Sequence, residues 1–238
     1  MRQKKITRKE LLKKPDEFIT FTSRLVQFAV AYRRQLYAAG GLAVAIVVVL
    51  SGVRYLSARS EKKAQALYAQ AQSALSAGQE EAGEKALTEA AQKLEEILNE
   101  YRRTSAARLA AVEYAHVCVR RGDLDKAIEW YERSLAKFEK DVLIKSLVKS
   151  SLAHAYLGKS DHRNAARLFE DLARSQEDVW KEDAYIQLAS LYDALGEVSQ
   201  GETWWRKLAE EFPDSLYHSM ASERVSTLEA SRKADKAG

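Results

Sequence analysis

Hydrophobic positions are distributed in two ways along this chain. From Gln35 to Val53 there are nineteen consecutive residues without a charge, dominated by Ala, Val, Leu and Ile. As a helix this run is about 28 Å long, close to the hydrocarbon thickness of a bilayer. Arg33 and Arg34 bound one end and Arg54 the other, and Tyr37 and Tyr55 fall where interfacial aromatics belong. The pattern predicts an uncleaved membrane anchor over residues 35–56. A cleaved signal peptide fits less well, because Arg54, Tyr55 and Leu56 follow the run and no small-x-small pair does. Arg33-Arg34 ahead of an apolar stretch is a faint twin-arginine feature, and the downstream residues do not continue it.

After Ser57 the pattern becomes helical and punctuated. Breaks are predicted near Ser76–Glu84, Arg121–Asp123, Gly158–Asp161, Gln176–Asp178, Gly196–Glu197 and Pro213–Ser215, with helix-length segments between them. Two of these are placed at Ala64–Leu75 and Ala86–Tyr101. A last helix is expected over Ser215–Ala230, with Leu216, Tyr217, Met220, Ala221, Val225 and Leu228 on one side and charges on the other, followed by a frayed tail from Ser231 to Gly238. Before the anchor, residues 18–32 are apolar with few charges, which fits a helix lying on the membrane surface or a short helix leading into the span. No period-two run of Val, Ile, Thr and aromatics occurs, and the chain has only two prolines and ten glycines. The fold class expected is all-α.

Charge sharpens this picture. Residues 1–34 hold ten Lys or Arg against Glu10, Asp16 and Glu17, whereas the whole chain carries only +4, so the remainder is net acidic. A basic segment that abuts an apolar span reads as an orientation signal and an anionic-lipid contact; nucleic acid is not an expected partner. By the positive-inside rule the amino end stays in the cytoplasm and the rest of the chain lies outside it. The expected location is therefore a membrane bordering the cytoplasm, crossed once. The organisation that follows is a basic segment over 1–34, the anchor over 35–56, a helical domain over 57–230 and the tail over 231–238.

The helical domain repeats. Tyr114-Ala115, Leu152-Ala153 and Leu188-Ala189 align at spacings of 38 and 36 residues. Three residues after each small residue stand Cys118, Tyr156 and Tyr192; in the second helices Ala127, Ala165 and Gly201 align, then Tyr131, Phe169 and Trp205, then Ser134, Leu172 and Leu208. This pattern resembles the tetratricopeptide repeat (TPR), as does the turn Gly122-Asp123-Leu124-Asp125-Lys126-Ala127-Ile128. The resemblance implies an α-solenoid of stacked helix pairs, degenerate over residues 60–103, with a C-terminal capping helix. The layout as a whole, including Gly52-Val53-Arg54-Tyr55 at the end of the span, is similar to the ancillary subunit of the bacterial SecYEG translocon. That resemblance implies a chaperone-like role beside the translocon. The stretch Glu211-Phe212-Pro213-Asp214-Ser215-Leu216-Tyr217 instead resembles repeats of envelope proteins that serve outer-membrane assembly and the Tol–Pal system, which implies a docking scaffold.

Candidate chemistry is sparse. Cys118 is the single cysteine, so no intrachain disulfide can form, and its apolar surroundings point to a core residue. His116, His154, His162 and His218 have no metal-ligand spacing on one face, and the Glu pairs at 80–81, 95–96 and 210–211 lie on polar surface. No phosphate loop, dinucleotide turn or nucleophile elbow is present. The chain is read as a non-enzyme without cofactor or metal, whose partners are other proteins and, through its anchor, lipid. The TPR resemblance implies that partners dock on the face lined by first helices. Carried over, that lining is Leu109, Val112, His116 and Val119, then Lys145 or Lys149, then Asp183, Ile186, Ser190 and Asp193. Trp130 and Trp204 occupy matching places in two repeats and either wrap onto a neighbouring helix or present a binding surface.

Overall fold

The computed structural model describes residues 26–77, 83–175 and 178–237, so most of the basic segment and the first part of the 18–32 stretch lie outside the described residues. Every regular element among the described residues is a helix. Residues 26–31 are helical, and α1 follows as Arg33–Ala77. Then come α2 (Gly83–Glu100), α3 (Ser105–Arg120), α4 (Leu124–Lys137), α5 (Val142–Gly158), α6 (His162–Ala173), α7 (Asp178–Ala194), α8 (Val198–Glu211) and α9 (His218–Ala237). The chain divides into two compact units, Met1–Arg59 and Ser60–Gly238, with the boundary inside α1.

In the first unit, Phe28 and Tyr32 stack with ring centroids 4.6 Å apart just ahead of α1. The uncharged run lies wholly within α1, and its Leu42, Val44, Ile46, Val47, Val48, Val49 and Leu50 are all exposed. None of the most apolar window of this helix is buried, and its mean hydropathy of 2.3 makes it the one described helix long and apolar enough to cross a membrane.

In the second unit, consecutive helices from α2 to α9 pack against one another, and α3 also touches α5, as α5 touches α7. This neighbour-to-neighbour stack is an α-solenoid, and the expected register is visible in its core. Ala115, Ala153 and Ala189, aligned in the sequence, are all fully buried where helices cross. Tyr131, Phe169 and Trp205 are buried in the second helices, with Ser134, Leu172 and Leu208 one turn on. The Ser134 hydroxyl donates to the Trp130 carbonyl at 2.7 Å, so its polar atom is satisfied in the core.

The turns within pairs also repeat. Gly122, Ser160 and Gly196 have φ of 76°, 60° and 74°. The N–H of the next residue, Asp123, Asp161 or Glu197, returns to the carbonyl of Cys118, Tyr156 or Tyr192 at 2.9, 2.9 and 2.8 Å. This six-to-one closure ends the first helix in each pair and demands a left-handed residue. Asp123 and Asp161 then cap the second helix, accepting from the N–H of Lys126 and Asn164 at 3.3 and 3.2 Å. Ser160 is the one non-glycine in this role, a conformation that costs an L-residue roughly 1–2 kcal/mol. Ser160→Gly is therefore expected to raise stability by about 0.5–1 kcal/mol after the added chain entropy of glycine is subtracted. A urea melt of the pair of proteins checks this, and an unchanged or lower midpoint would contradict it.

Two expectations need correction. The break at residues 138–141, between α4 and α5, is absent from the expected set. Phe138-Glu139-Lys140 contains no glycine or proline, yet Phe138 turns inward as a buried C-cap and Asp141 caps α5 by accepting from the Ile144 N–H at 3.2 Å. The last helix begins at His218 instead of Ser215, because Ser215 folds back to donate its hydroxyl to Glu182 at 2.6 Å. Leu216, Tyr217 and Met220 are consequently exposed, and Ala221 and Val225 carry the packing. Residues 231–237 are helical and continue α9 to Ala237.

Candidate protein-binding face

The face lined by first helices is held together by polar contacts between them. Glu61 in α1 accepts the backbone N–H of Ser105 at 2.8 Å and of Ala106 at 3.3 Å, and also the Ser105 hydroxyl. A carboxylate thus sits on the free N–H groups that open α3, 44 residues away in sequence. Burial pushes the Glu61 carboxyl up, but the bonds from the Ser105 side chain and backbone and from Ala106 outweigh it, so the group lies below its ordinary value of 4.5. A depressed carboxyl contributes stability above that ordinary value and loses it as pH falls through the folded-state value. Glu61→Gln is expected to flatten the acid limb of a stability–pH profile, read as the difference in denaturation midpoint between neutral pH and pH below 4.5. Identical acid limbs in parent and variant would remove Glu61 from this account.

Further along, the His116 ring nitrogen lies 3.3 Å from the Ser151 hydroxyl, joining α3 to α5. The Ser150 hydroxyl donates to Asp183 at 3.5 Å, joining α5 to α7. His116 also stands 3.7 Å from Glu113, and this contact holds the Glu113 carboxyl below its usual value. At the end of the stack Asp193 accepts from Trp205 Nε1 at 2.9 Å and from Arg224 Nε at 3.1 Å, which ties α7, α8 and α9 together. Gly201 faces the same carboxylate: a Cβ there would stand 2.6 Å from Asp193 Oδ1 and 3.3 Å from the Ala189 carbonyl. The small residue at this crossing is a steric requirement.

A second set of contacts joins successive pairs. Tyr156 donates to Glu132 at 2.7 Å, and Tyr192, its equivalent one repeat later, donates to Glu170 at 3.2 Å. The corresponding position in the preceding pair is Cys118, which has no such reach. There Tyr114 donates to Glu95 instead, and burial together with that bond pushes its hydroxyl up to about 12. Burial likewise pushes the Cys118 thiol up, the opposite of what a nucleophile needs. Among the described residues no group of three or more His, Cys, Asp and Glu could hold a metal ion.

The expected lining residues therefore separate. Leu109, Val119 and Ser190 are exposed, and His116, Asp183 and Ile186 are half-buried within the interlocking contacts. Val112 is buried in the core, and Asp193 is committed to Trp205 and Arg224. Lys149 pairs with Asp171 in α6 at 3.1 Å, while Lys145 is half-buried on α5. Trp130 packs edge-on against Tyr114 with centroids 5.6 Å apart, and Trp204 packs on Tyr185 at 5.4 Å beneath the Lys207 ammonium. Both tryptophans wrap onto the first helix of their own pair. Leu147 and His154, which the 38-residue spacing makes equivalent to Leu109 and His116, are exposed and belong with them, although neither is among the lining residues expected from the sequence.

No family model matches the chain, and no curated protein does. Solved structures do resemble it. The TPR-like repeats of a Podosopora anserina protein assigned as a kinesin light chain match at a TM-score of 0.54 with 17% identity, covering 74% of this chain and 90% of that one. A point variant of the same repeats gives the same score and identity over 89% of its length. BtubC from P. vanneervenii gives a TM-score of 0.48 at 17% identity over 74% of this chain and 82% of its own. The protein is an all-α chain with a TPR-like solenoid.

Proposed function

We propose that the chain is a single-span scaffold of a bacterial inner membrane. In this reading residues 1–34 lie in the cytoplasm, residues 35–56 form the anchor, and the repeat domain over 57–230 stands outside the cytoplasm and binds other proteins. The observation that carries the reading is one helix containing a fully exposed, uncharged run, upstream of a TPR-like solenoid. The mechanism is non-covalent. Leu109 and Leu147 offer exposed aliphatic contacts beside His116, His154 and Ser190, a mixed surface suited to extended segments of varied sequence, and the anchor raises local concentration at the membrane. The partner class favoured is translocating polypeptides beside SecYEG, with the protein as a chaperone-like accessory. A second reading, a dedicated docking scaffold of outer-membrane assembly or Tol–Pal type, draws on the Glu211–Tyr217 stretch, which here forms a bonded corner between α8 and α9.

In-cell photocrosslinking from Leu109, His116 and Ile186 tests both readings. The expected result is translocon subunits together with many export clients. One fixed envelope partner without clients would replace the first reading with the second. Crosslinks from the exposed Ser199 equal to those from Leu109 would remove the first-helix face from either.

A further inference from the structure

Each helix pair runs out and back, so the connections between pairs all fall on one edge of the solenoid and the turns within pairs on the other. Contacts across that first edge define it: Glu61 with the Ser105 N–H at 2.8 Å, the Arg108 guanidinium 5.2 Å from the Phe138 ring, and Glu182 with Ser215 at 2.6 Å. The most exposed apolar side chains of this unit collect there. Val142 and Leu143, after the connection between α4 and α5, are 61% and 60% exposed, and Leu216, between α8 and α9, is 95% exposed. On the opposite edge Leu195 and Val198 are the main exposed aliphatics, at 43% and 42%.

Cations stand beside Val142 and Leu143, whereas Leu216 has the acids Glu211 and Asp214 near it in sequence. Arg102, Arg103, Arg108, Lys137 and Lys140 are exposed around the connections before α3 and α5. The acids among them are Glu100, Glu139 and Asp141, and Asp141 is engaged as the α5 cap. An open cleft of about 530 Å³ lies between Arg108, Lys137 and Lys140, bordered by Val142 and Leu143 over the Phe138 ring. Aliphatic tips flanked by Lys and Arg are the pairing that seats a protein at the boundary between headgroups and acyl chains.

We propose that this edge is a membrane-docking edge, seated on the phospholipid surface of the bilayer that holds the chain's own anchor. The proposal rests on the anchoring reading above. The eight steps of chain from Val53 to Glu61 reach about 28 Å even when fully extended, so an anchored chain holds Glu61 within that reach of the end of its span. Leu143 and Leu216 enter the interface, and the cations around α3 and α5 meet lipid phosphates. A second copy paired about a two-fold axis through the α3–α5 connections is a poorer occupant there, because it sets like charges against each other.

The test uses the full chain in vesicles of phosphatidylethanolamine and phosphatidylglycerol. In a Cys118→Ala background, Leu143→Cys, Leu216→Cys and, on the far edge, Ser199→Cys are each labelled with an environment-sensitive fluorophore. Quenching by lipids bearing nitroxides near the headgroup is then measured, with circular dichroism confirming the fold of each variant. Severalfold stronger quenching at 143 and 216 than at 199 is the expected result. Equal, weak quenching at all three positions, in protein that still floats with the vesicles after alkaline carbonate, would overturn the docking edge and leave the anchor intact. Protein that no longer floats would overturn both. Disulfide-linked dimers of the unlabelled Leu216→Cys protein, with no quenching of its labelled counterpart, would assign the edge to a second copy and overturn the proposal.

Discussion

Phe169→Ala is expected to cost about 3–5 kcal/mol of stability, the range for deleting a phenyl ring from a packed interior. Phe169 is fully buried in α6, and the His154 ring of α5 meets it edge-on with centroids 5.3 Å apart. The position matters more than burial alone. Phe169 lies in the central pair, which packs on both the pair before it and the pair after it. In a solenoid whose contacts are all between neighbours, a cavity in the middle weakens coupling in both directions. A melting temperature lower by roughly 10 °C is expected for a domain of this size. Chemical denaturation with parent and variant side by side measures it, with the exposed Leu143→Ala as a control expected within about 0.5 kcal/mol. A loss below about 1 kcal/mol at Phe169 would mean the pairs are not packed as described.

The second large effect concerns the uncharged run. Ile46 and Val48 are exposed near its middle, so no protein core competes for them. A charged residue at the centre of a spanning helix costs about 2.5–3.5 kcal/mol in insertion, so Ile46→Arg with Val48→Arg removes several kcal/mol. The double variant is expected in the soluble fraction after alkaline carbonate, whereas the parent stays with membranes. Removal of residues 1–59 is expected to release the second unit, Ser60–Gly238, in the same way. A parent protein extracted by carbonate alone would show that the run is not an anchor.

Most of the solenoid was legible because its determinants are local and periodic. Ala115, Ala153 and Ala189 declare the crossings through size, and Tyr131, Phe169 and Trp205 declare the volumes that fill them. Gly122 and Gly196 mark turns that need a left-handed residue; Ser160 does the same work less visibly. What escaped the sequence depends on partners distant along the chain. Glu61 looks like one surface acid among many until α3 delivers its N-terminus to it. Asp193 falls on the expected lining, yet Arg224 from α9 and Trp205 from α8 claim it. Val112 obeys the same helical spacing as Leu109 and Val119 but turns further inward, a difference that spacing cannot resolve. The α4–α5 connection escaped because a buried aromatic, Phe138, closes it without any turn residue.

The contacts between first helices also bear on how the domain carries load. α3 grips α1 through Glu61, α5 grips α3 through His116 and Ser151, α7 grips α5 through Asp183, and α9 grips α7 through Arg224. The first grip is made of three hydrogen bonds and each of the others of a single polar contact. Traction applied near α9 would pass down this series toward α1, and the weakest link would open while the others held. The solenoid would lengthen pair by pair, acting as a compliant coupling between its two ends.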